Sequence, residues 1–106
     1  MTAAELSVAQ QRTSDGSLLR LTGEIDMSTA GHLRRAVDEA LADAPARVVL
    51  DFAGVTFCDS QGLSTLIALN KAAVARDGAL VLSNVGDFLQ RLLDITGLRA
   101  AFAIEE

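Results

Sequence analysis

The run Arg47–Phe52, reading RVVLDF, constrains this chain more than any other stretch. Its continuous apolar residues, Val48 to Phe52, read as a strand in a central and covered position of a sheet. After AGVTFCDS the period changes: Leu63, Leu66, Ile67, Asn70 and Val74 recur at helical spacing, and RDG stops that helix at Gly78. ALVLSN then supplies another strand. A strand–helix–strand crossover of this kind is right-handed and leaves its two strands parallel.

The flanking segments extend the pattern. AELSVAQQR alternates weakly through Leu6 and Val8, TSDGS supplies an Asp-Gly turn, and LLRLTG carries Leu19 and Leu21 on one face. The two runs predict an antiparallel hairpin. Ser28 or Thr29 can cap a helix with the buried stripe Leu33, Val37, Ala40 and Leu41, closed by Pro45. A third helix runs through Leu89, Leu92 and Leu93 to Gly97, where Leu98 can make the apolar contact of a Schellman cap; FAIE predicts a last short strand. The expected order is ββαβαβα(β): one α/β domain over residues 1–106, with a mixed sheet built of an N-terminal hairpin and parallel βαβ units, flanked by amphipathic helices. Such folds place function in loops after strand carboxyl ends. Two loops qualify, GEIDMS after the second strand and AGVTFCDS after the third.

Composition narrows the partners. The formal net charge is −5 and half the residues are hydrophobic. Direct nucleic-acid binding requires a basic face, which this balance argues against. No apolar run approaches the length of a membrane span, and MTAAELSVAQ lacks the basic and apolar regions of a secretory signal. The single cysteine, Cys58, cannot form an internal disulfide, which fits a reducing, cytoplasmic setting.

Few residues here are equipped for catalysis. Ser60 would need a base, and the only imidazole is His32, read as a surface residue of the first helix; no G-x-S-x-G elbow surrounds Ser60. Cys58 and His32 make no metal-ligand spacing, Glu24 and Asp26 are only two carboxylates on one loop, and Cys58 reads as a packing residue. No glycine-rich phosphate loop exists. Asp51 superficially resembles the phosphoacceptor of a receiver domain, but the companion acidic pair and lysine are missing, so it reads as a polar group satisfied at the strand's exit. No enzyme, cofactor or metal site is expected.

Ser60 has two readings. Alone, it is an N-cap whose oxygen accepts a backbone N–H of the next turn. Its surroundings favour more. The expected outward face of the following helix, Gln61, Ser64, Thr65, Ala68 and Ala72, stays small and uncharged until Lys71, which suits a docking surface better than a solvated one. Gly62 is a poor helix former that permits close approach by another backbone.

At these residues the chain resembles the STAS domain of bacterial anti-sigma-factor antagonists. The family's run D-L-S-x-V-x-F-[hydrophobic]-D-S-x-G-L is similar to DFAGVTFCDSQGL at Asp51–Leu63, and its G-E-[LI]-D element is similar to Gly23-Glu24-Ile25-Asp26. The departures are Ala53 for the usual serine, Cys58 for a larger apolar residue, and Gln61 where Ser, Thr or Ala is usual. The resemblance implies that the unphosphorylated form binds an anti-sigma factor that is a serine kinase, and so frees a sigma factor. It implies phosphorylation of Ser60, right after the motif aspartate Asp59, and reversal by a metal-dependent PP2C-type phosphatase. The partner-binding residues are then expected to be Asp26, Asp59, Gln61, Gly62, Ser64, Thr65 and Ala68. Asp26 should border the acceptor, or else form a local Asx turn or cap into the first helix. The alternative is a non-phosphorylated STAS adaptor that binds a transporter ATPase, with Ser60 a plain cap.

Overall fold

A computed structural model describes residues 5–43 and 47–105. In chain order the elements are β1 (Leu6–Thr13), β2 (Gly16–Ile25), α1 (Ala30–Asp43), β3 (Arg47–Cys58), α2 (Ser60–Ala75), β4 (Ala79–Ser83), α3 (Asp87–Thr96), a short 3-10 turn (Arg99–Ala101) and β5 (Ala103–Glu105). One sheet of order β1-β2-β3-β4-β5 contains them all. β1 and β2 pair antiparallel as a hairpin, while β2–β3, β3–β4 and β4–β5 are parallel. Pro45, expected to close α1, lies outside the described residues. No described helix is long and apolar enough to cross a membrane.

The core occupies one face of the sheet. Leu19 and Leu21 of β2, Val48, Leu50 and Phe52 of β3, and Leu80 and Leu82 of β4 join Leu33, Val37, Ala40 and Leu41 of α1, Leu63, Leu66 and Leu69 of α2, and Leu89 and Leu93 of α3 in one cluster. Burying a leucine contributes about 2 kcal/mol, against a few tenths for helix propensity, so these contacts decide which helix faces turn inward. Leu18, Val49 and Val81 point to the other face and stand outside that cluster. β3 is therefore central as expected, but helices cover only one side of it.

Three sequence expectations need correction here. β3 does not end at Phe52. It continues to Cys58, because its pairing with β2 shifts between Arg20 and Thr22 and again between Gly23 and Glu24, giving β3 extra residues. Those irregularities erase the alternation that would have marked AGVTFC as strand. Most of the two candidate loops is thus sheet, leaving a turn from Asp26 and the single junction residue Asp59. In α2 the buried set is Gly62, Leu63, Thr65, Leu66, Leu69 and Ala73, whereas Val74 is exposed and Ile67 and Asn70 are half-buried. The left-handed residue that ends α2 is Asp77, at φ 58, one position before Gly78. The Gly78 and Asp77 amides donate to the Ala73 and Val74 carbonyls, which is a Schellman motif built on an aspartate. α3 ends as expected: Gly97 lies at φ 71 and the Leu98 amide donates to the Leu93 carbonyl.

Candidate functional site

β2 and β3 finish together. Ile25 is paired with Cys58, and one step further the Asp59 amide donates to the Ile25 carbonyl at 3.2 Å. Asp26 and Asp59 therefore leave the same end of two adjacent parallel strands. The expectation that Asp26 borders the Ser60 segment follows from this register.

Asp59, rather than Ser60, is the cap of α2. Its backbone is extended (φ −94, ψ −172), its Oδ1 accepts the Gly62 amide at 2.9 Å, and its carbonyl accepts the Leu63 amide at 3.0 Å. An aspartate one residue earlier takes the position for which a serine is also suited, and Ser60 becomes the first helical residue. It is exposed, and its hydroxyl has no hydrogen-bond partner among the described residues.

Gly62 faces inward. A Cβ there would lie 2.8 Å from Cys58 Sγ, 2.8 Å from Ile25 Cγ2 and 2.9 Å from the Ile25 carbonyl oxygen. The close approach it permits is between α2 and the chain's own β2 and β3 ends, so it is removed from the docking surface. Thr65 is removed too: it is buried, with its hydroxyl donating to the Gln61 carbonyl at 3.0 Å. Gln61, Ser64 and Ala68 are exposed as expected, and Ala72 is half-buried.

Asp26 forms the local turn. Its Oδ1 accepts the Ser28 amide at 2.8 Å, the Ser28 hydroxyl at 2.7 Å and the Thr29 amide at 3.2 Å. The Asp26 amide donates to Thr29 Oγ1, and that hydroxyl donates to the Glu24 carbonyl. The Ser28 hydroxyl foremost, with the amides of Ser28 and Thr29, holds the Asp26 carboxyl below its ordinary pKa; partial desolvation opposes them. Oδ2 makes no hydrogen bond among the described residues. The turn thus fixes the carboxylate without consuming it.

Below the surface, Cys58 is buried, and burial foremost, with the charge of Asp59, pushes its thiol up to about 12. It packs and does not react. Asp51 lies mid-strand rather than at an exit. It is satisfied by the Asn84 amide at 3.0 Å and the Ala53 amide at 2.9 Å, with Arg20 4.0 Å away. His32 is exposed on α1.

Three exposed apolar side chains near the strand ends escaped the sequence reading. Met27, on the Asp26 turn, is 78 % exposed, Phe57 is 43 % exposed and Phe88 is 62 % exposed. The rings of Phe57 and Phe88 sit 6.3 Å apart over a crevice of about 50 Å³ lined in part by Phe52, Val55 and Gly86. A signal existed for Phe57, since it and Cys58 are neighbours on a strand and only one can face the core. Met27, an apolar residue between Asp26 and Ser28 in a polar turn, was equally visible.

Known proteins carry the same plan. The family described as "Mlab, STAS domain" matches residues 8–104. The anti-sigma F factor antagonist of Paenibacillus polymyxa is 32 % identical over 82 residues, 76 % of this chain and 70 % of that protein. The anti-sigma-B factor antagonist of Bacillus subtilis is 31 % identical over 94 residues, covering 89 % and 85 % respectively. The crystal structure of an anti-sigma factor antagonist from Mycobacterium paratuberculosis superposes with a TM-score of 0.81 at 29 % identity, over 94 % of this chain and 85 % of that one. This chain belongs to the STAS domain family, the family of the anti-sigma-factor antagonists.

Proposed function

We propose that this chain is an anti-sigma-factor antagonist switched by phosphorylation at Ser60. Its unphosphorylated form binds a serine-kinase anti-sigma factor in the cytoplasm and releases the sigma factor. A PP2C-type phosphatase restores it. The observation that carries this reading is the division of labour at the start of α2: Asp59 does the capping, so the Ser60 hydroxyl is exposed and unengaged. A serine with no structural duty at that position is available to a kinase. Asp26 Oδ2, Met27, Gln61, Ser64 and Ala68 offer the partner a surface around it, and the kinase supplies the catalytic base and Mg-ATP.

The switch follows from charge. A phosphate brings about −1.5 to −2 charges to the first turn of a helix, where free amides and the dipole tolerate it. The domain stays folded. The same charge stands next to Asp59, the register neighbour of Asp26, and a partner face fitted to a neutral hydroxyl meets it as bulk, desolvation cost and repulsion.

The test is to incubate the purified chain with serine-kinase anti-sigma factors and Mg-ATP and to locate the phosphate by mass spectrometry. Phosphate is expected on Ser60 alone and absent from Ser60→Ala. Ala68→Arg should weaken binding of the unphosphorylated form at least tenfold with an unchanged melting temperature. Phosphate retained in Ser60→Ala would overturn the assignment. Stable association with a transporter ATPase and no phosphorylation would replace it with the adaptor reading.

A further inference from the structure

The two edges of the sheet are treated differently. β5 is an edge of three residues, too short to template another chain. β1 is an edge of eight residues, LSVAQQRT, with continuous pairing to β2, no bulge, no proline and no lysine. Natural sheets blunt exposed edges with such devices, and a long, regular edge whose one charge is Arg12 is a template on which another strand can pair.

The direction of its free groups is defined. The Glu24 amide donates to the Glu5 carbonyl, so Glu5 and every second residue after it turn their backbone groups toward β2. Leu6, Val8 and Gln10 turn theirs outward. Beside this edge, on the helix face, runs a groove between β1 and α1 lined by Val8, Gln10, His32, Arg35, Ala36 and Glu39. Val8 and Ala36 are half-buried in it, while Arg35 and Glu39 have no ion pair among the described residues.

We propose that β1 pairs antiparallel with β1 of a second copy about a two-fold axis at Ala9, joining two sheets into one. This register sets outward residues opposite outward residues: Val8 meets Gln10 of the second copy as a hydrogen-bonded pair, and Ala9 meets Ala9 as a non-hydrogen-bonded pair. The charges of the groove select a copy of this chain over another strand. The two-fold reverses α1 against α1, bringing His32 and Arg35 at one end of the groove toward Glu39 of the second copy, with the small Ala36 near the crossing. The chain's net charge of −5 opposes self-association in general, but along this groove Arg35 stands to offset Glu39. The pairing is lateral, away from the strand ends, so it leaves both Ser60 surfaces open and makes the assembly bivalent.

Sedimentation velocity over a dilution series should show a dimer that dissociates on dilution. Gln10→Pro removes only an outward amide, which the edge of a sheet tolerates, and should give a folded monomer whose melting temperature no longer depends on protein concentration. In the second arm, Ala9→Cys should form an intermolecular disulfide under mild oxidation, because directly opposed non-hydrogen-bonded residues have Cα atoms about 4.5 Å apart. Ser7→Cys, which faces Gln11 of the second copy, should cross-link at least tenfold more slowly; buried Cys58 does not compete. A wild-type chain monomeric at every concentration, a dimer untouched by Gln10→Pro, or equal cross-linking at positions 7 and 9 would each overturn the proposal. Should Gln10→Pro fail to fold, the cross-linking ratio decides alone.

Discussion

At Gly62 helix propensity and packing pull in opposite directions. Alanine there would gain up to about 1 kcal/mol of propensity, but its Cβ would press on Cys58 Sγ, Ile25 Cγ2 and the Ile25 carbonyl, and overpacking costs about 1–3 kcal/mol. The carbonyl is held by the Asp59 amide and cannot retreat cheaply. Gly62→Ala is therefore expected to lower stability by about 1–2 kcal/mol in urea unfolding. Gly31, in the first turn of α1, has open space where a Cβ would go, and Gly31→Ala should raise stability by about 0.5 kcal/mol. The pair separates the two effects at one type of residue. Sequence alone reads both glycines as weak helix positions; it does not say which stands against another strand. That is why Gly62 reads as part of the docking surface; Ser60, Gln61, Ser64 and Ala68 are exposed, as helical period implies, while Thr65, expected on the same face, is buried.

At the scale of elements, the end of α2 is held by a residue ill suited to it. Asp77 sits at φ 58, a conformation that glycine adopts freely and that costs other residues about 1 kcal/mol, less for aspartate. Asp77→Gly should raise the urea midpoint, by about 0.5 kcal/mol in stability, and leave partner binding unchanged. The sequence made the helices legible because their apolar residues recur on one stripe and their ends carry glycine or proline. It made the hairpin legible through alternation and Asp-Gly. What stayed hidden was β3 beyond Phe52, since two register shifts against β2 remove the very alternation by which a strand is recognised. The displaced cap has a related cause: Asp59 and Ser60 are both good N-cap residues, and only the Asp59–Ile25 hydrogen bond fixes which of them precedes the first turn.

The whole molecule should show a stability profile with two separable arms. In acid, the Asn84 amide and backbone donors hold Asp51 below its ordinary value of 3.8, and the Ser28 hydroxyl and backbone amides do the same for Asp26. Groups depressed in the folded state stabilise it above their unfolded pKa, and that stability is lost as pH falls below about 4 through the folded values. In alkali the sign reverses. Cys58 is raised from 9.0 to about 12, so the unfolded thiol ionises first and stability falls between those values, at up to about 1.4 kcal/mol per pH unit. The chain has no tyrosine to add to this arm. Urea midpoints against pH should show both arms, and Cys58→Ala should flatten only the alkaline one. A last consequence follows from the Asp59 amide bonded to the Ile25 carbonyl. Since that link holds the Asp26 turn against the start of α2, a kinase acting on Ser60, as proposed, should recognise a surface assembled from segments more than thirty residues apart. A synthetic peptide spanning Asp51–Ala72 contains the complete acceptor motif, yet it should be phosphorylated at least a hundredfold less efficiently than the intact domain, as scored by kcat/KM. Comparable turnover of that fragment would mean that the kinase reads a linear address, and that the tertiary clasp serves the fold alone.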